Sequence, residues 1–155
     1  MSAAQEIQLG FPTASMPSVE TIERKLQSFT PSQVREVASY MVQLGHITEA
    51  ASIAETALQA NPSSEDLLLI ASLIAEVQQN WARAEELLVS LAEVQSPNTP
   101  PQTWLHLARV LRCQNKFDDT WLVLDFACSR FPEDQQLKEE LLSLEAFLPA
   151  PAASL

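Results

Sequence analysis

One spacing recurs along this chain and limits what it can fold into. Prolines lie 31 residues apart at Pro31 and Pro62, and again at Pro101 and Pro132. Between the prolines of each pair, apolar or small residues recur every three or four positions, which is the spacing of one face of an α-helix. In the first pair these are Val34, Val37, Ala38 and Met41, then Ala50, Ala54 and Ala57; in the second they are Trp104, Leu107, Ala108 and Leu111, then Thr120, Leu124 and Ala127. Each pair of prolines is therefore predicted to enclose two helices.

A third unit lies between these two. Counted from Glu65, the same offsets give Leu68, Ala71, Ser72 and Ala75, then Ala84, Leu88 and Leu91. The three units start 34 and 36 residues apart, so the second carries a two-residue insertion around SPNTPP. The sequence predicts three tandem helix pairs.

The residue types explain how such a pair would form. Ala50, Ala54 and Ala57 are small, which lets the second helix of the pair approach the first closely. Pro62 ends that helix because proline removes an amide donor. Gly45 stands between the two helices, where a left-handed turn costs glycine little. With 46% apolar residues, 6% aromatic residues and two glycines, the composition favours an all-α fold.

These units resemble the tetratricopeptide repeat family, whose 34-residue unit reads W-x2-L-G-x2-Y, then A-x3-F, then P. The closest matches are Trp104, Leu107, Ala108, Phe117, Ala127 and Pro132, and Thr120 departs from the family's small alanine. The resemblance implies a right-handed α-solenoid of three helix hairpins with an N-terminal helix and a C-terminal capping helix.

The predicted boundaries follow from this register. The helical domain is expected to span 17–148, with repeats at about 31–64, 65–100 and 101–134 and a capping helix at about 133–148. Ser18 is the predicted N-cap of the first helix. The capping helix would bury one face, formed by Leu137, Leu141, Leu144 and Leu148. Segments 1–16 and 149–155 show no helical period and are expected to be disordered.

The resemblance also implies a concave groove that binds a partner, lined by one stripe of the first helix of each repeat. Carried onto this chain, the groove residues are Arg35, Ser39, Val42, Gln43, Asp66, Leu69, Leu73, Val77, Gln102, Leu105, Arg109 and Arg112. Leu69 and Leu73 would then stay exposed to water, and an exposed apolar patch in a concavity favours a binding surface. The alternative is that Leu69 and Leu73 are simply core.

Some tetratricopeptide domains hold a chaperone's acidic C-terminus with a clamp of Lys and Asn side chains. Here Arg35 could replace one clamp lysine, but the other positions carry different residue types. These are Ser39, Ile70, Gln102 and His106. We expect instead a ligand with two or three apolar side chains, and an acidic group that reaches Arg109 or Arg112.

Several functions are disfavoured. A formal charge of −11 repels nucleic acid and anionic membranes. The longest apolar run, 67–75, is well short of the roughly 20 residues that span a bilayer, and the N-terminus lacks the basic and apolar regions of a secretory signal, so a cytoplasmic location is expected.

There is no Gly-rich phosphate loop, H-E-x-x-H or G-x-S-x-G, and His46 and His106 lack partners at ligand spacing. No enzymatic activity, metal or cofactor is expected. The tryptophans Trp81, Trp104 and Trp121 and the cysteines Cys113 and Cys128 are interpreted as buried core.

The leading functional prediction is a non-enzymatic adaptor or chaperone that binds a short, partly apolar peptide or helix of another protein. Two alternatives remain open. The overall layout is similar to that of the translocator chaperones of bacterial type III secretion. The apolar groove could also pair two copies into a homodimer, or accept the chain's own segment with Ile7, Leu9 and Phe11.

Overall fold

The computed structural model describes residues 18–148, and all regular secondary structure in that range is helical. The eight helices between residues 18 and 148 are α1 (Val19–Leu26), α2 (Pro31–Gln43), α3 (Ile47–Ala60), α4 (Glu65–Val77), α5 (Trp81–Gln95), α6 (Pro101–Cys113), α7 (Phe117–Arg130) and α8 (Gln135–Phe147). Helices α2, α4 and α6 begin at the three residues from which the repeat was counted. The predictions for 1–16 and 149–155 lie outside the described residues. None of the helices between 18 and 148 combines the length and the apolar character that a bilayer crossing requires.

Helices α1 and α2 begin where side chains satisfy free backbone amides. Ser18 Oγ accepts a hydrogen bond from the backbone N–H of Thr21 at 3.3 Å, as predicted for an N-cap. At the start of α2, Thr30 Oγ1 accepts from the N–H of Gln33, and Gln33 Oε1 accepts from the N–H of Thr30 at 2.8 Å. This reciprocal pair is a capping box, and Pro31 follows it at the first helical position. Side-chain caps of this kind typically contribute about 0.5–2 kcal/mol.

The same turn closes the first helix of every pair. Gly45, Gln79 and Asn115 have φ values of 86°, 56° and 59°. At each turn the amide of that residue donates to the carbonyl three residues earlier, and the next amide donates to the carbonyl five residues before it. This is the Schellman arrangement, which needs a left-handed residue after the helix. The turn predicted at Gly45 is confirmed, and it recurs at two positions that lack glycine.

The small residues predicted to hold the helix pairs together are buried. Ala50 and Ala54 on α3 are fully buried, as are Ala84 on α5 and Ala127 on α7, whereas Ala57 is only partly buried. The facing stripes on α2 and α6 are also buried, except for Trp104, which is partly buried. Their buried residues are Val34, Val37, Ala38 and Met41 on α2, and Leu107, Ala108 and Leu111 on α6. Helix α2 packs on α3, and α6 packs on α7. Side chains of one methyl group allow this close approach.

Two hydroxyl side chains occupy fully buried positions in these stripes. Thr120 Oγ1 donates to the carbonyl of Lys116 at 2.8 Å, and Ser72 Oγ donates to the carbonyl of Leu69 at 2.7 Å. Each hydroxyl is therefore satisfied by a backbone carbonyl about one turn earlier, which removes the cost of burying an unpaired polar group. This explains how Thr120 replaces the alanine usual at that repeat position.

The chain divides into two compact units, and the boundary falls inside α4, between Ile74 and Ala75. In the first unit, α1 and α2 both pack on α3. In the second, α5 packs on α6, α6 on α7, and α7 on α8, which also contacts α6. An ion pair ties α5 to the α6–α7 turn, because Lys116 Nζ lies 2.6 Å from Glu85 Oε2. The hydrogen bond from Lys116 holds the pKa of the Glu85 carboxyl below its ordinary value.

Helix α8 covers one side of the second unit. Leu137 and Leu144 are fully buried, and Leu141 and Leu148 are partly buried, so the apolar face predicted for the capping helix packs inward. Complete burial of a leucine side chain is worth about 1.5–3 kcal/mol relative to exposure. Asp134 begins the helix by accepting a hydrogen bond from the N–H of Leu137 at 2.9 Å.

The tryptophans differ from the prediction that all three are core. Trp81 and Trp104 are partly buried, but Trp121 is 38% exposed on α7. Next to it, Leu122 is 60% exposed, and Phe126 is 48% exposed one turn further on. Helix α7 needs only its opposite face, which carries Leu124, to pack against its neighbours. Its outer face therefore carries apolar side chains that are largely exposed.

Candidate functional site

The predicted groove residues fall in both compact units, and each group has its own surroundings. In the first unit they lie on α2 and α4. Between Leu67 and Ala75 on α4, every residue is buried except Leu69 and Leu73, which are partly exposed. These two leucines are four residues apart and so lie one above the other on one helix face. Their exposed surface is apolar and is not covered by any described part of the first unit.

Helix α2 contributes the facing side of this surface. Arg35, Ser39 and Val42 are partly exposed at i, i+4 and i+7, and Gln43 is exposed at the end of the helix. The Arg35 guanidinium donates to the Asp66 carboxylate at the start of α4, which brings the two stripes together at that end. We call the surface formed by Arg35, Ser39, Val42, Asp66, Leu69 and Leu73 the α2–α4 surface. It has an apolar centre, and its one cation already has a carboxylate partner.

In the second unit, the predicted groove arginines contact α8. Arg109 Nε lies 3.0 Å from Glu140 Oε2, and Arg112 Nη1 lies 3.2 Å from Glu140 Oε1. Arg112 also donates to Ser143 Oγ at 3.2 Å and lies over the ring of Phe147, with its Cζ 5.7 Å from the ring centroid. The Glu140 side chain is only 15% exposed. The acidic group that these arginines were expected to take from a ligand is thus supplied by the chain's own capping helix.

Leu105 has a different environment from the one predicted. It is 3% exposed and belongs to a core cluster with Leu124, Leu137 and Leu144. Helix α8 packs on α6 and α7 and covers this position, so Leu105 presents no surface to a ligand. Of the remaining predicted residues, Val77 is 53% exposed at the end of α4, and Gln102 is exposed on α6.

The described residues carry few groups suited to catalysis. His106 Nδ1 is 3.2 Å from Glu76 Oε1, but these two buried atoms are not aligned for a hydrogen bond. Burial raises the pKa of the Cys128 thiol, and the nearby negative charge of Asp125 raises it further. The nucleophilic thiolate is therefore disfavoured. Cys113 is exposed, which contradicts its interpretation as core. Between residues 18 and 148, no three His, Cys, Asp or Glu side chains form a group that could hold a metal ion.

The helix pairs define an all-α helical repeat fold, and comparison with solved structures gives its class. The first TPR of Spaghetti (RPAP3), bound to the HSP90 peptide SRMEEVD, matches with a TM-score of 0.67 and 12% identity over 77% of this chain and 94% of that chain. The second TPR domain of human RPAP3, in complex with the HSP70 peptide SGPTIEEVD, matches with a TM-score of 0.64 and 10% identity over 74% and 95% of the two chains. A tetratricopeptide repeat protein from Parabacteroides merdae matches with a TM-score of 0.66 and 19% identity over 92% of this chain and 54% of that chain.

The fold is therefore that of tetratricopeptide repeats, as the sequence predicted. At 10–19% identity this likeness concerns the fold alone. A scan against protein-family models and a search of curated proteins give no match.

Proposed function

We propose that this chain is a non-enzymatic protein-interaction module that binds a short apolar segment of a partner protein on the α2–α4 surface. One observation carries the proposal. Within the otherwise buried run from Leu67 to Ala75, Leu69 and Leu73 alone are left partly exposed, one turn apart on the same face. Their spacing suits a ligand with two apolar side chains on one face. In a helical ligand these side chains would lie at i and i+4, and in an extended ligand at alternate positions.

Burial of these leucines by a ligand supplies a driving force for binding. Complete burial of an exposed leucine is worth about 1.5–3 kcal/mol. Because Leu69 and Leu73 are already partly buried, a ligand that covers them gains part of that amount for each. Val42 on α2 is also apolar and partly exposed. The ion pair between Arg35 and Asp66 at one end of the surface would orient a ligand more than it would strengthen binding.

The internal ion pairs also bear on the chemistry of the partner. The peptides bound by the two RPAP3 domains contain the acidic sequence EEVD. In this chain Arg35 is bonded to Asp66, while Arg109 and Arg112 share Glu140. An acidic ligand would have to displace those carboxylates and leave them unpaired. We therefore infer that the partner segment is held by apolar anchors and not by a terminal carboxylate clamp.

Site-specific cross-linking tests this proposal. A photoreactive amino acid placed at Leu73, in cells that produce the protein, should cross-link one short segment of a partner, mapped by mass spectrometry. The same residue placed at Leu142, which is 65% exposed on α8, provides the matched control. A set of products shared by both positions would contradict the proposal.

The identity of the product also separates the alternatives. A membrane-inserting client in the same cell would indicate a chaperone of the secretion type. Cross-links from Leu73 to this chain's own residues would instead indicate self-association.

A further inference from the structure

A second surface lies in the other compact unit, between α5, α6 and α7. These helices form an open surface pocket of about 560 Å³ with predominantly apolar walls. Its lining includes Val89 from α5, Trp104 and Leu107 from α6, and Phe126 from α7. The rings of Trp104 and Phe126 meet edge to face with their centroids 5.3 Å apart. A pocket of this volume can accept a large apolar side chain.

The rim of the pocket is held by hydrogen bonds. Ser96, Pro97 and Thr99 of the α5–α6 loop line it, in the stretch where the second repeat has its two-residue insertion. Thr99 Oγ1 donates to the carbonyl of Ala92 at 2.8 Å, and Arg130 Nη2 donates to the carbonyl of Pro97 at 3.1 Å. Because the loop is tied to both α5 and α7, the pocket is preformed, which lowers the cost of ordering it when a ligand binds.

The apolar residues on the outer side of α7 are not required by the repeat. Leu122 and Phe126 correspond to Ser52 and Thr56 in the first repeat, 70 residues earlier. In the second repeat, 36 residues earlier, the corresponding residues are Glu86 and Ser90. The same helix position is thus polar in two repeats and apolar in the third, where the side chains are 60% and 48% exposed. Exposed apolar side chains that packing does not require indicate an interaction surface.

Carboxylates surround this apolar patch. Asp118 and Asp125 lie on the same face of α7 as Leu122, at i−4 and i+3, and Glu93 lines the pocket from α5. No described residue forms an ion pair or hydrogen bond with the side chains of these three acids. The one cation at the pocket, Arg130, already bonds to Pro97 and lies over the Phe126 ring at 5.9 Å. The local field is therefore negative, and the net charge of the chain, −11, has the same sign.

We propose that the pocket between α5, α6 and α7, together with Leu122 on the outer face of α7, docks a basic amphipathic segment of a partner protein. An apolar side chain of that segment fills the pocket against Trp104 and Phe126, and a second covers Leu122. Its lysine or arginine side chains pair with Asp118, Asp125 and Glu93. The occupant is thus chosen by charge as well as by shape. This surface shares no residue with the α2–α4 surface, and the proposal does not depend on the function proposed there.

A model peptide tests the proposal with the full-length chain. The probe is a fluorescein-labelled helical peptide of leucine and lysine at amphipathic spacing, whose binding is followed by fluorescence anisotropy at about 0.15 M salt. The test variant, Leu122→Ser with Phe126→Thr, introduces the residues that the first repeat carries at these positions. The matched control, Leu142→Ser, removes an equally exposed leucine from α8. We expect the test variant to weaken binding at least about tenfold and the control to change it less than about twofold.

Charge is tested separately. Asp118→Asn with Asp125→Asn should weaken binding about threefold or more and flatten its salt dependence. The same peptide with glutamate in place of every lysine should not bind. Circular dichroism and thermal unfolding confirm that each variant is folded, and Leu122→Ser alone, at the more exposed position, tests the site if the double variant unfolds.

Three results would overturn the proposal. Equal affinity of the wild-type chain and a folded Leu122→Ser, Phe126→Thr variant would show that the basic peptide binds elsewhere. Equal affinity for the glutamate peptide would show that charge does not select the occupant. A wild-type dimer in sedimentation at micromolar concentration that becomes monomeric in the same variant would show that a second copy occupies this face.

Discussion

The three left-handed turns allow one prediction to be worked out in detail. Gly45, Gln79 and Asn115 occupy equivalent positions and make the same backbone hydrogen bonds, with φ between 56° and 86°. A residue with a Cβ loses roughly 1–2 kcal/mol in this conformation, whereas glycine does not. Glycine in turn loses about 0.5–1 kcal/mol more conformational entropy than alanine on folding. The exposed Gln79 side chain makes no hydrogen bond to any described residue, so Gln79→Gly removes no side-chain bond.

Gln79→Gly should therefore stabilise the protein by about 0.5–1 kcal/mol, which is the middle of the range left when the entropy cost of glycine is subtracted from the strain removed. For a chain of this size that corresponds to a rise in Tm of roughly 1–4 °C. Asn115→Gly should gain less, because asparagine tolerates the left-handed region better than glutamine does. Gly45→Gln should lose about as much as Gln79→Gly gains, since a Cβ at Gly45 would contact nothing within 4 Å and only the φ value would matter.

Thermal and urea unfolding followed by circular dichroism at 222 nm would measure the three variants. Gln79→Gly should raise the free energy of unfolding most and Asn115→Gly should raise it less. Gly45→Gln should lower it. A loss of stability in Gln79→Gly would refute the argument that a common turn closes the three hairpins, and so would an unchanged Gly45→Gln.

Two further predictions concern packing and charge. Ala54 is fully buried where α3 packs on α2, so the larger side chain of Ala54→Leu should force the two helices apart. The free energy of unfolding, measured by urea titration, should fall by about 1–3 kcal/mol. An unchanged urea midpoint would mean that the helices do not meet there. For Glu85→Gln, the expected effect depends on pH, because the ion pair with Lys116 holds the folded-state pKa of the Glu85 carboxyl below its ordinary value of 4.5. Wild type should be more stable than the variant above that pH, and this advantage should disappear as the pH falls through the lowered pKa. An equal difference in the free energy of unfolding at pH 7 and pH 3 would contradict the assignment.

The repeat made the fold and the hairpin cores predictable. Val34, Val37, Ala38 and Met41 were assigned to the inner face of α2 from spacing alone, and all four are buried. The turn at Gly45 was also assigned correctly. Applying the repeat offsets of 34 and 70 residues to Gly45 would have located the turns at Gln79 and Asn115 as well. Residue type concealed them, because neither position carries the glycine that usually marks such a turn.

The candidate site was harder to predict, because it depends on what covers each stripe. Leu105 was assigned to the groove by its repeat offset, yet α8 buries it. The same helix brings Glu140 to Arg109 and Arg112. A periodic pattern shows which residues share a helix face but not which faces a terminal helix will cover. The exposure of Trp121 was missed for a related reason, since large aromatic residues are usually buried and no neighbour covers this one.

The central claim is that Leu69 and Leu73 bind a partner and are not core, and one affinity measurement tests it most directly. The partner segment identified by cross-linking would be titrated against wild type, Leu73→Glu and the control Leu142→Glu, with the stability of each measured in parallel. The account predicts that Leu73→Glu weakens binding at least about tenfold at nearly unchanged stability, and that Leu142→Glu binds like wild type. Unchanged affinity of Leu73→Glu, or a loss of several kcal/mol in its stability as expected for a charge forced into a core, would contradict it.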